Sequence, residues 1–310
     1  MIDVSLIIIN YNSKKLLDDC LNSVLEFTKE VSFEIIVVDN GSTVNLDDLI
    51  SKYPKVKFIL NEKSKGFAAV NNQGFAAAKG NYLLMLNNDV LFIEDSISKI
   101  VEFSKEEDDN AIIGCNLLNE DKTFQISIVD FDSLLNLFGE SLFLYKIFKR
   151  NKRLNKYHNN YCDLKEVKEV DALKGAFLFF PADVFKKLNG LDERFFFYYE
   201  ETDFCYRWKQ LGGKVVYYPD TKIIHLGGVS TESNLKFKFF NQHNARIQFF
   251  QKHFYGLKFV LMLMIHWLGL LLRVPIYFCF GIVRFNRYSF IKSKYYFQSL
   301  FKYPKKLETI

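Results

Sequence analysis

Apolar positions change their period along the chain and so separate its segments. Val4 and Leu6 to Ile9 form a short run rich in β-branched residues, and Ile35 to Val38 form another. Runs that are apolar on both faces suit strands buried in a parallel sheet. Between them Leu16, Leu17, Cys20, Leu21, Val24 and Leu25 recur at helical spacing, with Asn12 or Ser13 placed to cap the start. Strand, helix and strand make a βαβ unit, for which a right-handed crossover is expected. The alternation continues with a strand over Val56 to Leu60, a helix from about Phe67 to Ala78 and a strand over Tyr82 to Leu86. The first hundred residues therefore predict a doubly wound α/β half of the kind that binds nucleotides.

Farther on, Val170 to Phe180 returns to strand character. Pro181 opens a short helix carrying Val184, Phe185 and Leu188, which Gly190 closes. A second helix is predicted from Glu200 to Leu211, stopped by Gly212 and Gly213, and Lys214 to Tyr218 forms another strand. The intervening stretch from Phe143 to Lys168 is irregular and carries Lys146, Lys149, Arg150, Lys152, Arg153 and Lys156. It reads as an exposed basic loop or helix, with contact to phosphate or anionic lipid as the sharper alternative.

Beyond Asn234 the pattern changes again. Phe237, Phe239, Phe240, Phe249, Phe250 and Phe254 alternate with Lys, His and Arg, and Phe259 to Phe280 is nearly all apolar, broken by His266, Arg273 and Pro275. The uncharged length before Arg273 is about fourteen residues, below the ~20 that span a bilayer. A charge at mid-membrane is costly. In the tail, Arg284, Arg287, Lys292, Lys294, Lys302, Lys305 and Lys306 stand against one acid, Glu308. The region is expected to form apolar helices lying in the cytoplasmic membrane interface. The alternative is a helical subdomain packed on the core or on a second copy of the chain, as a homodimer.

Composition narrows the field. Of 310 residues, 49% are hydrophobic and 25% charged, which excludes a disordered or collagen-like chain. The net charge of +5 calls for no nucleic-acid partner. The five cysteines form no CxxC pair, so neither a disulfide framework nor a Cys-rich zinc site is expected, and a reducing compartment fits. The N-terminus enters a strand without a basic leader, so secretion is not expected.

Candidate chemistry sits mainly at strand ends. Asp39, followed by Asn40, Gly41 and Ser42, lies at the carboxyl edge of the second strand, where open α/β sheets bind ligands. A carboxylate there accepts from a pyrimidine imide or a ribose hydroxyl, although Asn-Gly-Ser is also a standard turn. Residues 61–74 place small side chains and amides at a loop-to-helix junction, which suits either a phosphate at the helix N-terminus or helix packing. Asn87, Asn88 and Asp89 offer one carboxylate flanked by amides, a partial ligand set for a hard divalent cation or an Asx-turn.

Residues 195–211 (FFFYYEETDFCYRWKQL) are the most informative. On a wheel of about 100° per residue, Phe204, Cys205, Trp208 and Leu211 fall within about 80° of Glu201. Asp203 and Arg207 fall on the other side, in the order of a surface ion pair. Glutamate is seldom buried without a reason. Burial raises its pKa and a helix N-terminus lowers it, and a carboxylate between those effects serves as a general base. The plainer account is a helix-start acid serving the backbone amides, and Glu200 is the rival base. His225 precedes Leu226, Gly227 and Gly228, where it can ligate a metal, reach a phosphate as the loop closes, or be structural. His158, His243, His253 and His266 show no HExxH spacing. The absence of P-loop, GxSxG and GxGxxG motifs argues against P-loop NTPases, α/β-hydrolases and dinucleotide enzymes.

Six segments in order resemble family 2 glycosyltransferases of the GT-A type, particularly the bacterial rhamnosyltransferase-like branch. They are SLIIINYN, EIIVVDNGS, KGFAAVNNQG, YLLMLNNDV, LKGAFLFFPADVFKKLNGLDERFFFYYEETDFCYR and YYPDTKIIHLGGVS, covering most of residues 4–230. The resemblance implies a Rossmann-like mixed α/β sheet flanked by helices, with a C-terminal helical membrane-associated extension. It implies a catalytic domain over residues 1–230, with a nucleotide-sugar half at 1–115 and an acceptor half at 116–230, and a helical aromatic and basic region over 231–310. The implied donor is a nucleotide-diphosphate-sugar (UDP- or dTDP-sugar), the cofactor Mg²⁺ or Mn²⁺, and the reaction an inverting single displacement.

By position, the resemblance implies that Asn10, Asp39, Gly66, Asn71, Asn88 and Asp89 meet the nucleotide-sugar. Asp89 matches the metal carboxylate of the DXD-type motif and His225 the second protein contact to the metal. Gly175, Ala176 and Asp203 fall on the acceptor side, and Glu201 falls where the family's ED motif places its base, next to Glu200. Two departures stand out: Asn87 replaces the first acidic residue, and Glu201 replaces the usual Asp, an arm longer by one methylene. The implied acceptor is a polyprenyl-linked saccharide or an oligosaccharide, met at the cytoplasmic face of the cell membrane during surface polysaccharide assembly. A sugar-nucleotide nucleotidyltransferase would instead want a Gly- and Arg/Lys-rich loop where Asn10 to Ser13 stand. A catalytically silent nucleotide-sugar-binding scaffold would not need Asp89, Glu201 and His225 together.

Overall fold

The computed structural model describes residues 2–107, 110–162, 164–227, 235–302 and 304. The domain boundary expected at residues 230–231 lies outside the described residues, as do Gly228, Lys305, Lys306 and Glu308. Two compact units divide the chain: Met1–Val129 with Leu164–Phe196 and Glu200–Ser230, and Asp130–Asp163 with Phe197–Tyr199 and Thr231–Ile310.

In chain order the elements begin with β1 (Val4–Asn10), α1 (Lys14–Phe27), β2 (Phe33–Asp39), α2 (Asp47–Lys52), β3 (Lys57–Leu60), α3 (Phe67–Ala76) and β4 (Tyr82–Asn87). There follow β5 (Val90–Phe92), α4 (Ser96–Glu106), β6 (Ala111–Leu118), β7 (Phe124–Gln125) and β8 (Ile128–Val129). The second unit contributes α5 (Leu134–Ser141) and α6 (Leu144–Ile147). The first resumes with β9 (Lys168–Glu169), β10 (Ala172–Leu173), β11 (Phe177–Pro181), α7 (Ala182–Lys187), α8 (Glu200–Gln210) and β12 (Lys214–His225). Finally α9 (Leu235–His253), α10 (Gly256–Val283) and α11 (Arg287–Ser299) belong to the second unit.

Among the described residues of the first unit, ten strands form a sheet with the path β3-β2-β1-β4-β11-β6-β12-β5, with β7 beside β6 and β9 beside β12. β1 to β4 are parallel and β11 runs antiparallel to β4, so the α/β sheet is mixed. All of β1 is buried, which explains a run that is apolar instead of alternating. The polar residue inside the run, Ser5, is satisfied there: its hydroxyl accepts from Gly80 N at 2.8 Å and donates to Glu34 at 2.6 Å. Leu17, Cys20, Leu21 and Val24 of α1 share one buried cluster with Leu6, Ile8, Val37 and Leu84. Each Leu, Ile or Val there contributes about 1.5–3 kcal/mol by leaving water. Leu25, read as part of the same stripe, is exposed.

The strand expected over Val170 to Phe180 is broken. Ala172–Leu173 pairs with β8 in a separate two-stranded sheet, whereas Phe177–Pro181 joins the main sheet. The bend between them carries Lys174, Gly175 and Ala176. α7 and α8 do stop where expected, before Gly190 and Gly212, whose φ values are +76° and +83°.

Helices dominate the second unit. No Asp or Glu occurs between Leu235 and Lys302, so α9 to α11 take their counter-charges from elsewhere in the unit. Arg246 Nη2 lies 2.7 Å from Glu140 and 3.2 Å from Asp132. Lys156 Nζ lies 3.0 Å from Asp132, to which the Tyr199 hydroxyl donates at 2.6 Å. Lys156 is therefore buried, a correction to the exposed basic stretch in which it was placed; Lys146, Lys149, Arg150, Lys152 and Arg153 are exposed. Burial pushes the Asp132 carboxyl up, but Arg246 and Lys156 together outweigh it and hold the group well below the ordinary carboxylate range.

Arg273 and Pro275 do not interrupt α10, which runs through both as one helix of 28 residues. The reason is local. Arg273 is buried and donates to Glu140 O at 2.7 Å and Gly269 O at 2.9 Å, so its charge is not presented outward. α10 is long and apolar enough to cross a membrane by length and composition. Leu257, Val260, Met264, Leu268, Leu271, Phe278 and Ile282 are exposed along it at steps of three, four or seven, one apolar stripe.

Candidate active site

The carboxyl ends of β1, β2 and β4 lie side by side, with Asn10 opposite Asp39 and Ile9 opposite Asn87. This register gathers amides and carboxylates at one sheet edge. Asn10 is fully buried; its Nδ2 donates to Asp39 Oδ1 at 2.7 Å, and its Oδ1 accepts from Asn88 Nδ2 at 3.0 Å. Asp39 also accepts from Ser42 N at 2.8 Å and Ser42 Oγ at 2.6 Å. The turn and the site are thus the same object, because the bonds that close the turn fix the carboxylate. Asn40 pairs reciprocally with Lys65, donating to its carbonyl at 3.0 Å and accepting from its N–H at 2.7 Å. That exchange holds the loop before Gly66.

Gly66 caps α3, and an added Cβ there would come within 3.2–3.3 Å of Phe196. Phe67 N donates to Phe196 O at 2.7 Å, so one amide of this helix N-terminus already has a protein partner. Asn71 lies fully buried within α3, with Nδ2 bonded back to Phe67 O at 2.9 Å. Neither Gly66 nor Asn71 joins the Asn10–Asp39–Asn88 chain among the described residues.

Antiparallel pairing of β5 with β12 sets His225 opposite Val90, and Leu226 N donates to Asp89 O at 2.9 Å. His225 Nε2 and Asp89 Oδ1 are thereby brought to 3.3 Å. Asp89 Oδ1 is buried and accepts no hydrogen bond among the described residues. A buried acceptor left this way costs roughly 1–3 kcal/mol, and a cation removes that cost. Among the described residues no group of three or more His, Cys, Asp or Glu side chains converges. Asp89 and His225 could therefore offer one carboxylate and one imidazole, a donor pair that fits a divalent ion such as Mn²⁺ better than the all-oxygen preference of Mg²⁺.

Glu201 sits in the first turn of α8, part-buried, with Glu200 buried beside it. Burial raises the Glu201 carboxyl above its ordinary value; backbone N–H groups at the helix start, a hydrogen bond with Glu200 and the charge of Lys174 oppose that rise. Gly175 lies against it: a Cβ there would sit 3.6 Å from Glu201 Cβ and 2.8 Å from Met85 Cε. Ala176 O accepts from Asn87 N at 3.1 Å. The bend after β10 thus connects the Asp89 end of β4 with Glu201.

Asp203 behaves differently from a surface acid. It is fully buried and accepts from Arg207 Nε at 2.7 Å, while Arg207 donates to Leu188 O at 2.6 Å and Gly190 O at 2.8 Å. The expected surface ion pair is an interior clamp of α8 onto the turn after α7. The wheel could not show this, because the covering turn comes from another part of the chain. Gln125 also escaped the sequence reading. Its amide bonds to His225 O at 2.9 Å, to Asn119 Oδ1 at 3.0 Å and to His225 Nδ1 at 2.6 Å, and no motif marked it.

Comparison with known proteins gives these positions a context. The family profile described as "Glycosyl transferase family 2" matches residues 5–165, just over half of the chain. Glycosyltransferase GlyG of Streptococcus pneumoniae serotype 4 is 30% identical over 124 residues, 39% of this chain and 40% of that protein. The poly(ribitol-phosphate) beta-glucosyltransferase of Bacillus spizizenii is 27% identical over 165 residues, 48% of this chain and 26% of that protein. The match thus spans less than half the length of either relative. Among solved structures, GalNAc-T7 with UDP, GalNAc and Mn²⁺ superposes with a TM-score of 0.56 at 18% identity, over 73% of this chain and 43% of that one. S. aureus TarS 1-349 superposes at 0.51 and 14% identity, over 96% of this chain and 81% of that one. At these identities the superpositions speak for the fold, the GT-A arrangement.

Proposed function

The chain belongs to glycosyl transferase family 2, and on that premise we propose that it moves a sugar from a nucleotide-diphosphate-sugar to a saccharide hydroxyl with inversion. The observation that carries the reading is the meeting of Asp89 Oδ1 and His225 Nε2 at 3.3 Å on the same sheet edge that brings Gly175 against Glu201. Asp89 and His225 would hold Mg²⁺ or Mn²⁺, which when bound neutralises charge gathering on the leaving nucleoside diphosphate. Asn10, Asp39 and Asn88 orient the nucleoside of a UDP- or dTDP-sugar, with Gly66 and Asn71 lining the neighbouring helix start. Gly175 and Ala176 leave room for the acceptor. Glu201 takes the acceptor hydroxyl proton as that oxygen attacks the anomeric carbon, and its raised pKa makes it a stronger base than an exposed glutamate. Glu200 supports Glu201, and Asp203 holds α8 in place.

The acceptor class follows from the second unit and from the relatives. GlyG, the poly(ribitol-phosphate) beta-glucosyltransferase and the putative teichuronic acid biosynthesis glycosyltransferase TuaG of Bacillus subtilis carry names of glycosyltransferases, two of which name a polymeric product or acceptor. A polyprenyl-linked or oligosaccharide acceptor, hexosylated or rhamnosylated at the cytoplasmic face of the membrane, fits that company. The exposed stripe of α10 and the lack of acids from Leu235 to Lys302 suit an anionic lipid surface. Lying in the interface is favoured over spanning, because α5 holds the middle of α10: Ser141 Oγ donates to Ile265 O at 3.0 Å and Glu140 O binds Arg273. A span would draw that ionic group to mid-bilayer, at a high cost. A panel of nucleotide-sugars offered with Mn²⁺ tests the activity directly. Donor-dependent release of nucleoside diphosphate for one sugar is expected, and no turnover of any member with any saccharide or lipid-linked acceptor would refute the proposal.

A further inference from the structure

We infer that Gln125 is the positioning residue for His225, holding its imidazole in the Nδ1–H tautomer and so leaving Nε2 as the free lone pair beside Asp89. This rests on the reading of Asp89 and His225 as cation ligands. Gln125 stands on β7, paired through Leu117 with β6, at the end of a tight hairpin. Its Nε2 donates to the carbonyl of His225 at 2.9 Å, an atom that can only accept, and to Asn119 Oδ1 at 3.0 Å. Asn119 is oriented in turn by its own Nδ2, which donates to Thr123 Oγ1 at 2.9 Å and Phe124 O at 3.3 Å. The nitrogen of Gln125 is thereby assigned, and the atom facing His225 Nδ1 at 2.6 Å is its oxygen. An amide oxygen has no proton to give, so Nδ1 carries the hydrogen. A neutral imidazole has one, and Nε2 is left as a bare lone pair.

Nε2 lies 3.3 Å from Asp89 Oδ1, which itself accepts nothing among the described residues. Asn87 Nδ2 approaches the same nitrogen at 3.4 Å, at the limit of a hydrogen bond. In the neutral imidazole two Lewis bases then lie side by side, because Gln125 keeps the single ring proton on Nδ1. Groups that fix a ligating histidine in this way typically govern metal affinity by about 10–100-fold.

The test needs no turnover. Imidazole ¹⁵N resonances of the metal-free protein, recorded where the ring is neutral, are expected to show His225 protonated at Nδ1, and an Nε2–H tautomer overturns the inference. Mn²⁺ binding is then followed by electron paramagnetic resonance, alone and with UDP. Gln125→Leu is expected to weaken it by about 10–100-fold and to release the tautomer, with thermal unfolding reporting that the fold is kept. Gln125→Glu, which keeps an acceptor for Nδ1–H, is expected to restore the tautomer and to bind Mn²⁺ more tightly than the Leu variant. His225→Ala separates the two levels. If it leaves Mn²⁺ binding unchanged, the metal reading of the site fails and this inference with it. If it abolishes binding while Gln125→Leu changes nothing, only the role of Gln125 is overturned.

Discussion

In the second unit, Asp132 and Glu140 are met by Arg246, Lys156 and the Tyr199 hydroxyl at 2.6–3.2 Å. At the sheet edge of the first unit, Asp89 keeps an oxygen that accepts nothing among the described residues and faces a histidine nitrogen. Asp132 and Asp89 are both buried, carboxylates the fold has taken out of water. The first kind is complete: each carboxylate has its counter-charge, which is what stability requires of buried ions. The second leaves one carboxylate oxygen without a hydrogen bond among the described residues. Burial of a titratable group therefore does not by itself mark a functional site; an unmatched one at a strand end is the better candidate.

The largest effect expected from breaking this contrast is on turnover. Glu201→Gln keeps the shape of the side chain and removes its ability to take a proton, so transfer is expected to fall by about 10²–10⁴. Calorimetry should show nucleoside diphosphate binding retained. Glu200→Gln is the control, and a larger loss there than at Glu201 would exchange the two roles.

Next comes the cost of making the complete cluster incomplete. Asp132→Asn leaves Arg246 and Lys156 facing a neutral amide, and a loss of about 3–5 kcal/mol is expected in urea unfolding at neutral pH. The folded pKa of Asp132 is depressed below its ordinary 3.8. Its stabilisation is therefore fully present above that value and is lost as pH falls through the lower folded one. The gap between variant and wild type should accordingly close only in strong acid. A gap independent of pH would mean that the charge is not what matters.

Glu201 titrates with the opposite sign, and its effect on stability is smaller. Its folded pKa is raised above 4.5, so the wild type loses stability as pH rises through the raised value. Glu201→Gln is expected to unfold at higher urea than wild type at neutral pH and at the same urea below pH 4.5. One substitution thus lowers activity and raises stability, the trade expected of a group held in place for chemistry. A variant that is less stable at neutral pH would place Glu201 among the structural acids.

The strands were legible from spacing alone. β1, β2 and β4 are largely buried on both faces and so read as apolar runs, and the polar residues at or just past their ends, Asp39 and Asn88 marked by their position and Asn10 by the family resemblance, are bonded in one chain. What stayed hidden depends on partners far along the chain. Asp203 and Arg207 look like a surface pair until Leu188 and Gly190 cover them, and Arg273 looks like a break in α10 until Glu140, 133 residues earlier, receives it. Gln125 belongs to the same class. Nothing in its neighbourhood marks it, and its meaning comes from a histidine 100 residues away.

The smallest effect concerns two neighbours on α10. Leu270 is 6% exposed and Leu271 is 56% exposed, so one peptide bond separates a core position from the outward stripe. Leu270→Ala is expected to cost about 2–5 kcal/mol of stability, the ordinary price of a core cavity. Leu271→Ser should stay within about 0.5 kcal/mol of wild type. If the stripe meets lipid, the same Leu271→Ser change should still weaken sedimentation with anionic vesicles by about tenfold, because a leucine leaving water contributes roughly 1.5–3 kcal/mol. If the stripe meets a second copy of the chain instead, vesicle binding will not change and the sedimentation coefficient of the protein alone will fall. The basic, acid-free sequence of α9 to α11 weighs toward lipid, since two such faces would repel each other while an anionic surface attracts both.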